Sequence, residues 1–230
     1  MNCALGEPVS SGSSSQTRRI MLPPHGDFYL KRYHYSEGRL RIRPDKAQRE
    51  VRNYSYLRQV CGIPVPDVVC FGARSGVWAR RDGFVMTRRI PESLSLEALA
   101  SQKRARPHDE ADRAARRQLL NEACTIVRRM HAQHFYHLDL QWRNILVQDM
   151  RRLYLIDSWR GGPRWGPVFQ AHGRLRDLSS LAKEAVIRMT LSERVRWLRT
   201  YFQTRRLTRE QRMIIRAIER DRLLKDNSTR

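Results

Sequence analysis

Apolar positions alternate in the first part of the chain and recur every three or four residues in the rest. Phe28-Tyr29-Leu30-Lys31-Arg32-Tyr33 reads as a strand rich in aromatics. Period two puts Phe28, Leu30 and Arg32 on one face and Tyr29, Lys31 and Tyr33 on the other. Residues 1–17, with the serine-rich stretch Ser10–Ser15, read as a flexible loop or frayed terminus. Arg18–Leu22 reads as a short strand, and Pro23-Pro24-His25-Gly26-Asp27 as a turn. Pro44-Asp45 opens a helix to about Val60 whose stripe is Ala47, Val51, Tyr54 and Leu57. Glu50 lies one turn before Tyr54, at the edge of that stripe. Gly62-Ile63-Pro64-Val65-Pro66 ends the helix. Strands are expected at Asp67–Phe71 and Gly83–Arg88, with Val77–Ala79 a candidate third between them.

Residues 91–108 read as a connector with one short helix at Leu94–Ala100 and a basic patch reaching Pro107. A long helix, Asp109–His134, follows on the stripe Ala111, Ala115, Leu119, Ala123, Ile126 or Val127, and Met130. Ile145–Val147 and Leu153–Ile156, joined by a polar turn at Gln148–Arg152, predict a hairpin. Gly161–Gly173 is rich in glycine and proline and is expected to be irregular. Leu175–Met189, Ser192–Thr204 and Thr208–Leu224 predict helices, with Ser192 beside Glu193 and Thr208 near Glu210 as starts. Lys225–Arg230 should fray. The pattern divides the chain into a β-rich part, 1–90, and a helical part, 91–230.

Composition narrows the class. With 230 residues and 40% hydrophobic content, the chain can bury a real core and is no disordered polycation. No apolar run reaches the roughly 20 residues of a membrane span, and the first residues lack a secretory layout, so a cytosolic location is expected. Cys3, Cys61, Cys70 and Cys124 are scattered, which reads as reduced thiols without a metal role. The net charge of +22, carried mainly by arginine, favours polyanionic partners: nucleic acid, anionic lipid or phosphorylated sugar. A solvated, arginine-biased surface would give the same count, because the basic residues are spread along the whole chain.

Candidate chemistry sits in His137-Leu138-Asp139-Leu140-Gln141-Trp142-Arg143-Asn144, followed by Leu153-Tyr154-Leu155-Ile156-Asp157. Asp139 can take a proton from an acceptor hydroxyl, while Asn144 and Asp157, at facing ends of the predicted hairpin, can hold Mg²⁺. Each alone would be an ordinary turn residue; together with His137 and two apolar runs they make a phosphoryl-transfer constellation. Lys31 alone reads as a snorkelling strand lysine, but a helix glutamate, Glu50, follows it, and that pair positions nucleotide phosphates in kinases. His137 reads as a loop-orienting group rather than a base. Asp177 is open between a charge complementing a helix start and a support beneath the catalytic loop.

These residues resemble the protein-kinase-like superfamily, and within it the lipopolysaccharide kinase family of Kdo and heptose kinases, over about Thr17–Leu181. Phe28–Tyr33 looks like that family's nucleotide-lysine strand, Glu50 its helix glutamate, His137–Leu146 its catalytic loop, and Leu155-Ile156-Asp157 its metal-binding segment. The resemblance implies an α+β, two-lobed fold, with a small β-rich N-lobe and a mainly helical C-lobe around ATP. It implies transfer of the γ-phosphoryl group of ATP, with Mg²⁺, to a sugar of the lipopolysaccharide inner core. In it Asp139 is the base, Asn144 and Asp157 bind metal, Lys31 and Glu50 bind phosphates, and backbone near Met86–Arg88 meets adenine. It also implies peripheral contact with the cytoplasmic face of the inner membrane and an anionic glycolipid substrate.

The chain departs from the superfamily pattern in three ways. No GxGxxG loop is present, Leu138 stands where His-Arg-Asp has arginine, and Ser158-Trp159 stands where Phe-Gly follows the metal aspartate. No Ala-Pro-Glu segment follows, which points away from peptide acceptors. Two rival readings are another small-molecule phosphotransferase of the same fold and an inactive, kinase-like, basic nucleic-acid-binding protein; no recognised nucleic-acid motif supports the latter.

Overall fold

Strand pairing organises the first half of the chain. The computed structural model describes residues 6–12, 14–34, 45–74, 82–102 and 110–227. There β1 (Glu7–Gly12), β2 (Ser15–Leu22), β3 (Gly26–His34), β4 (Val68–Arg74) and β5 (Asp82–Arg88) form an antiparallel sheet in the order β1-β2-β3-β5-β4. The serine-rich stretch, expected to be loop, instead turns β1 into β2, with Gly12 opposite Ser15. All six residues of β1 are exposed, so ladder bonds rather than burial hold this edge strand, and no apolar alternation marks it in the sequence. Ser13, Cys3, Val77–Ala79, the basic patch at 103–107 and the helix start at Asp109 lie outside the described residues.

Helix α1 (Lys46–Gln59) begins where Asp45 accepts a hydrogen bond from the Ala47 amide at 2.6 Å. Its expected stripe is buried at Ala47, Tyr54 and Leu57. Glu50, expected at the stripe's edge, is only 2% exposed. Ala47 packs with Tyr33 and Val85 under the sheet. Tyr54 and Leu57 belong to the same buried cluster as Met130, Phe135, Ile145 and Leu155. One helix therefore packs into both halves of the molecule.

The second half contains β6 (Ser93–Ser95), α2 (Leu96–Gln102), α3 (Glu110–Ala132), β7 (Phe135–Tyr136), β8 (Ile145–Gln148) and β9 (Arg152–Leu155). It continues with β10 (Gly162–Pro163), α4 (Pro167–Arg188), α5 (Leu191–Phe202) and α6 (Arg209–Asn227). The expected hairpin is β8–β9, and β6 extends it to a three-stranded sheet. Gly161–Gly173, expected to be irregular, pairs β10 with β7 and then enters α4 at Pro167. A proline in the first helical turn loses no hydrogen bond, so Pro167 starts the helix rather than breaking it. Gly173 lies within α4 because a Cβ there would stand 2.5 Å from Cγ of Tyr136. Thr190, not Ser192, caps α5 in a capping box with Glu193. At α6, Thr208 exchanges bonds with Gln211 rather than pairing with Glu210. Lys225–Asn227, expected to fray, continue α6.

Cys61 and Cys124 are buried free thiols, and burial pushes their pKa values up to about 11 and about 12. Among the described residues no helix is long and apolar enough to cross a membrane.

Candidate active site

The catalytic-looking loop leaves β7 and is held from below by one carboxylate. Asp177 accepts the backbone amides of His137 at 2.8 Å and Leu138 at 2.6 Å. It is fully buried and lies well inside α4, so the helix-start reading falls and the support beneath the loop is what is found. His131 Nε2 meets Asp177 at 3.1 Å, and His131 Nδ1 meets the Tyr201 hydroxyl at 2.7 Å. Burial pushes the Tyr201 phenol well up, which keeps it protonated as a donor. Leu138 has φ 61°, an unfavourable value for a branched side chain, and Arg176 Nε binds its carbonyl at 2.8 Å.

Beyond Leu138, Gln141 Nε2 donates to Asp139 Oδ1 at 2.7 Å. Asn144 Nδ2 donates to the Asp139 carbonyl at 2.8 Å, which turns its amide oxygen the other way. The Ile156 amide donates to the Asn144 carbonyl at 3.0 Å, so the end of β9 lies beside Asn144. His137, fully buried, donates from Nε2 to the Ile156 carbonyl at 3.0 Å and ties the same two segments together.

Asp157 sits in the left-handed region, φ 59° and ψ 47°, which aspartate tolerates better than most residues. Its Oδ1 accepts from Lys31 Nζ at 2.5 Å. Lys31 Nζ also lies 3.6 Å from Glu50 Oε1. Glu50 is further held by two hydroxyls: Tyr33 donates to Oε2, and Tyr54 donates to Oε1 at 3.0 Å. Burial, and then the Glu50 charge, push both phenols well above their ordinary range, so they remain neutral donors. The Tyr54 hydroxyl also accepts the Asp157 amide at 3.1 Å.

Helix α1 grips the segment after Asp157 as well. Asn53 Nδ2 donates to the carbonyls of Ser158 at 2.5 Å and Gly161 at 3.1 Å, and Arg49 reaches the Arg160 and Gly161 carbonyls. Trp159, standing where the common motif has glycine, meets Tyr33 edge-on at 6.2 Å. Tyr33, Asn53, Tyr54, His131 and Tyr201 are site residues that pattern reading passes over. For Tyr33 and Tyr54 a signal did exist: one shares Lys31's strand face, and the other follows Glu50 by one helical turn.

The side chains of Met86 and Arg88 are on another face. Lys31 is opposite Val85 on β5, whereas Met86 is opposite Leu30 and Arg88 opposite Phe28. Their side chains therefore lie on the sheet face away from Lys31. The Arg88 amide is already bound to the Asp67 carbonyl at 2.8 Å.

The donor set fits a magnesium nucleotide. Asp139, Asn144 and Asp157 present oxygen atoms, and Lys31 supplies the opposing cation. Among the described residues no group of three or more His, Cys, Asp or Glu could hold a metal alone. Magnesium bound by one or two protein oxygens together with substrate phosphates needs no such group.

The sequence matches the lipopolysaccharide kinase (Kdo/WaaP) family over residues 24–215. A comparison with curated proteins finds no match. Among solved structures the chain is similar to "WaaP in complex with acyl carrier protein", with a TM-score of 0.73 and 22% identity, covering 94% of this chain and 87% of that one. This likeness carries the α+β, two-lobed, kinase-like fold. The chain therefore belongs to the lipopolysaccharide kinase (Kdo/WaaP) family.

Proposed function

We propose that the protein transfers the γ-phosphoryl group of ATP to a hydroxyl of an inner-core sugar of lipopolysaccharide, Kdo or heptose. The observation that carries this reading is the meeting of Lys31, Glu50 and Asp157 beside the Asp139–Asn144 loop. Asp139 accepts the proton of the attacking hydroxyl, and the Gln141 amide holds its carboxylate in place. Asn144 and Asp157 hold the magnesium, which neutralises charge on the transferred phosphoryl group when bound. Lys31, steadied by Glu50, leaves Asp157 to bind the α- and β-phosphates. Backbone near Met86–Arg88, after which the chain crosses into the helical part, meets adenine. Residues 1–90 then serve as nucleotide lobe and 91–230 as catalytic lobe. The basic surface suits an anionic glycolipid at the cytoplasmic face of the inner membrane.

Dephosphorylated lipopolysaccharide core, with Mg²⁺ and ATP, tests this. Asp139→Ala should lower turnover by roughly 10²–10⁴-fold with nucleotide affinity nearly intact. Asp157→Ala should lose metal-dependent nucleotide binding. Normal turnover by Asp139→Ala overturns the mechanism; salt-sensitive DNA binding without ATP consumption favours the nucleic-acid reading. Mass spectrometry of core from a deletion strain identifies the sugar by the missing phosphate.

A cavity favours a second ligand. Helices α3 to α6 surround an apolar space of about 460 Å³, lined by Leu120, Val127, Trp142, Leu181, Trp197 and Ile218 among others. Arg194, Arg212 and Arg216 also line it. The related WaaP was solved with acyl carrier protein. We propose that this chain binds an acylated carrier protein, with the acyl chain in the cavity. Leu181→Trp, which fills the space, should weaken binding of the acylated carrier at least about tenfold. Equal binding of acylated and unacylated carrier by the unsubstituted protein rejects the assignment.

A further inference from the structure

The segment after Asp157 has a composition and an exposure that phosphoryl transfer does not explain. From Ser158 to Arg176 there is no aspartate or glutamate, and there are four arginines, Arg160, Arg164, Arg174 and Arg176. At its centre, where the chain enters α4, Trp165 is 68% exposed, Val168 75% and Phe169 60%. Val168 and Phe169 occupy the outer side of the first turn and Trp165 precedes it, while Gly173, Asp177 and Leu178 of the same helix are buried. His172, one turn on from Val168 and Phe169, is exposed, as is Arg160. Two large aromatics and a valine standing in water among cations mark an interaction surface.

This surface is fixed rigidly to the catalytic loop. Gly162 and Pro163 pair with Tyr136 and Phe135, immediately before His137. The Arg164 amide donates to the His134 carbonyl at 2.9 Å, and the Trp165 ring leans on His134 at 5.4 Å. At the other end, Gly173 lies against Tyr136, and Arg176 holds the Leu138 carbonyl. A partner seated on Trp165 and Phe169 is therefore positioned relative to Asp139.

We propose that Trp165, Val168 and Phe169 form a wedge that inserts into the interfacial layer of an anionic phospholipid bilayer, with the exposed Arg160 on the headgroups. Tryptophan and phenylalanine favour the boundary between headgroup and acyl chain, and neighbouring arginines add attraction to anionic lipid. The net charge of +22 acts in the same direction. The wedge presents the catalytic loop to a glycolipid acceptor that stays in its membrane. For its purpose this rests on the lipopolysaccharide-kinase reading; the existence of the surface does not.

The experiment is cosedimentation with vesicles of phosphatidylcholine, with and without phosphatidylglycerol, in low and high salt. The unsubstituted protein binds the anionic vesicles in low salt. Trp165→Ser/Phe169→Ser loses at least about tenfold in partitioning. Ile187→Ser, at another exposed aliphatic, behaves as the unsubstituted protein. The double variant keeps its turnover on delipidated core oligosaccharide and loses turnover on lipopolysaccharide embedded in vesicles. Failure of the unsubstituted protein to bind anionic vesicles, or unchanged binding by the double variant, overturns the proposal. So does a double variant that binds vesicles but not acyl carrier protein, because the face is then a protein interface. If the double variant does not fold, quenching by brominated phosphatidylglycerol decides: undiminished quenching in Trp165→Phe rejects the wedge. Absent turnover on either acceptor with intact vesicle binding rejects the kinase reading and leaves the wedge standing.

Discussion

A single hydroxyl, that of Tyr54, joins the carboxylate of Glu50 to the backbone of Asp157. It donates to Glu50 and accepts the amide of Asp157, a backbone group in a left-handed conformation. Tyr54→Phe leaves that part-buried amide without its partner, which should cost about 1 kcal/mol of stability. It should also raise the KM for the magnesium nucleotide more than it lowers kcat. Denaturant unfolding and steady-state kinetics read both, and unchanged values would show that packing alone holds Asp157. The closeness of Asn144 to the segment that carries Asp157 was legible in the sequence because two apolar runs joined by a polar turn predict the hairpin β8–β9. Tyr33 and Tyr54 were read only as filler on a strand and a stripe. Hydrophobic periodicity registers the ring of a tyrosine and is blind to what its hydroxyl reaches.

Elements with an amphipathic signature were legible to within a few residues, and those without one were not. Helix α1 follows its stripe, whereas β1 is exposed along its length and gains its place from pairing. The start of α4 was hidden because Gly166 and Pro167 read as a breaker, although proline is well suited to a first turn. The N-terminus of α5 gives a test at this scale. Thr190→Ala removes one half of the capping box and should cost about 1 kcal/mol. Glu193, the other half, also accepts Arg116 Nε at 2.6 Å, joining α5 to α3. Burial opposes its ionisation, but the Arg116 bond and the Thr190 contacts outweigh that and hold its carboxyl below the usual range. Its contribution is therefore present above the ordinary carboxylate pKa and is lost as pH falls through the lowered one. Glu193→Gln should flatten the acid side of a stability–pH curve and leave its neutral side nearly parallel to that of the unsubstituted protein.

At the scale of the whole molecule, α1 contributes to the core beneath the sheet and to the core of the helical half. Ligand bound between the halves should therefore stabilise both together. Magnesium and ATP at 100 times Kd should add about 2.7 kcal/mol, seen as one upward-shifted melting transition. Asp157→Ala should abolish the shift, and two transitions moving separately would contradict the shared core. Which sugar is phosphorylated was not legible at any scale, since no motif in the chain describes the acceptor. The bonds from Arg49, Asn53 and Tyr54 to residues 157–161 have one more consequence. Many kinase drugs work by prying the metal-binding loop outward and occupying the hole left by its phenylalanine. Here Ser158 rather than phenylalanine follows Asp157, and α1 clasps the loop's carbonyls directly, so inhibitors of that type should find no foothold.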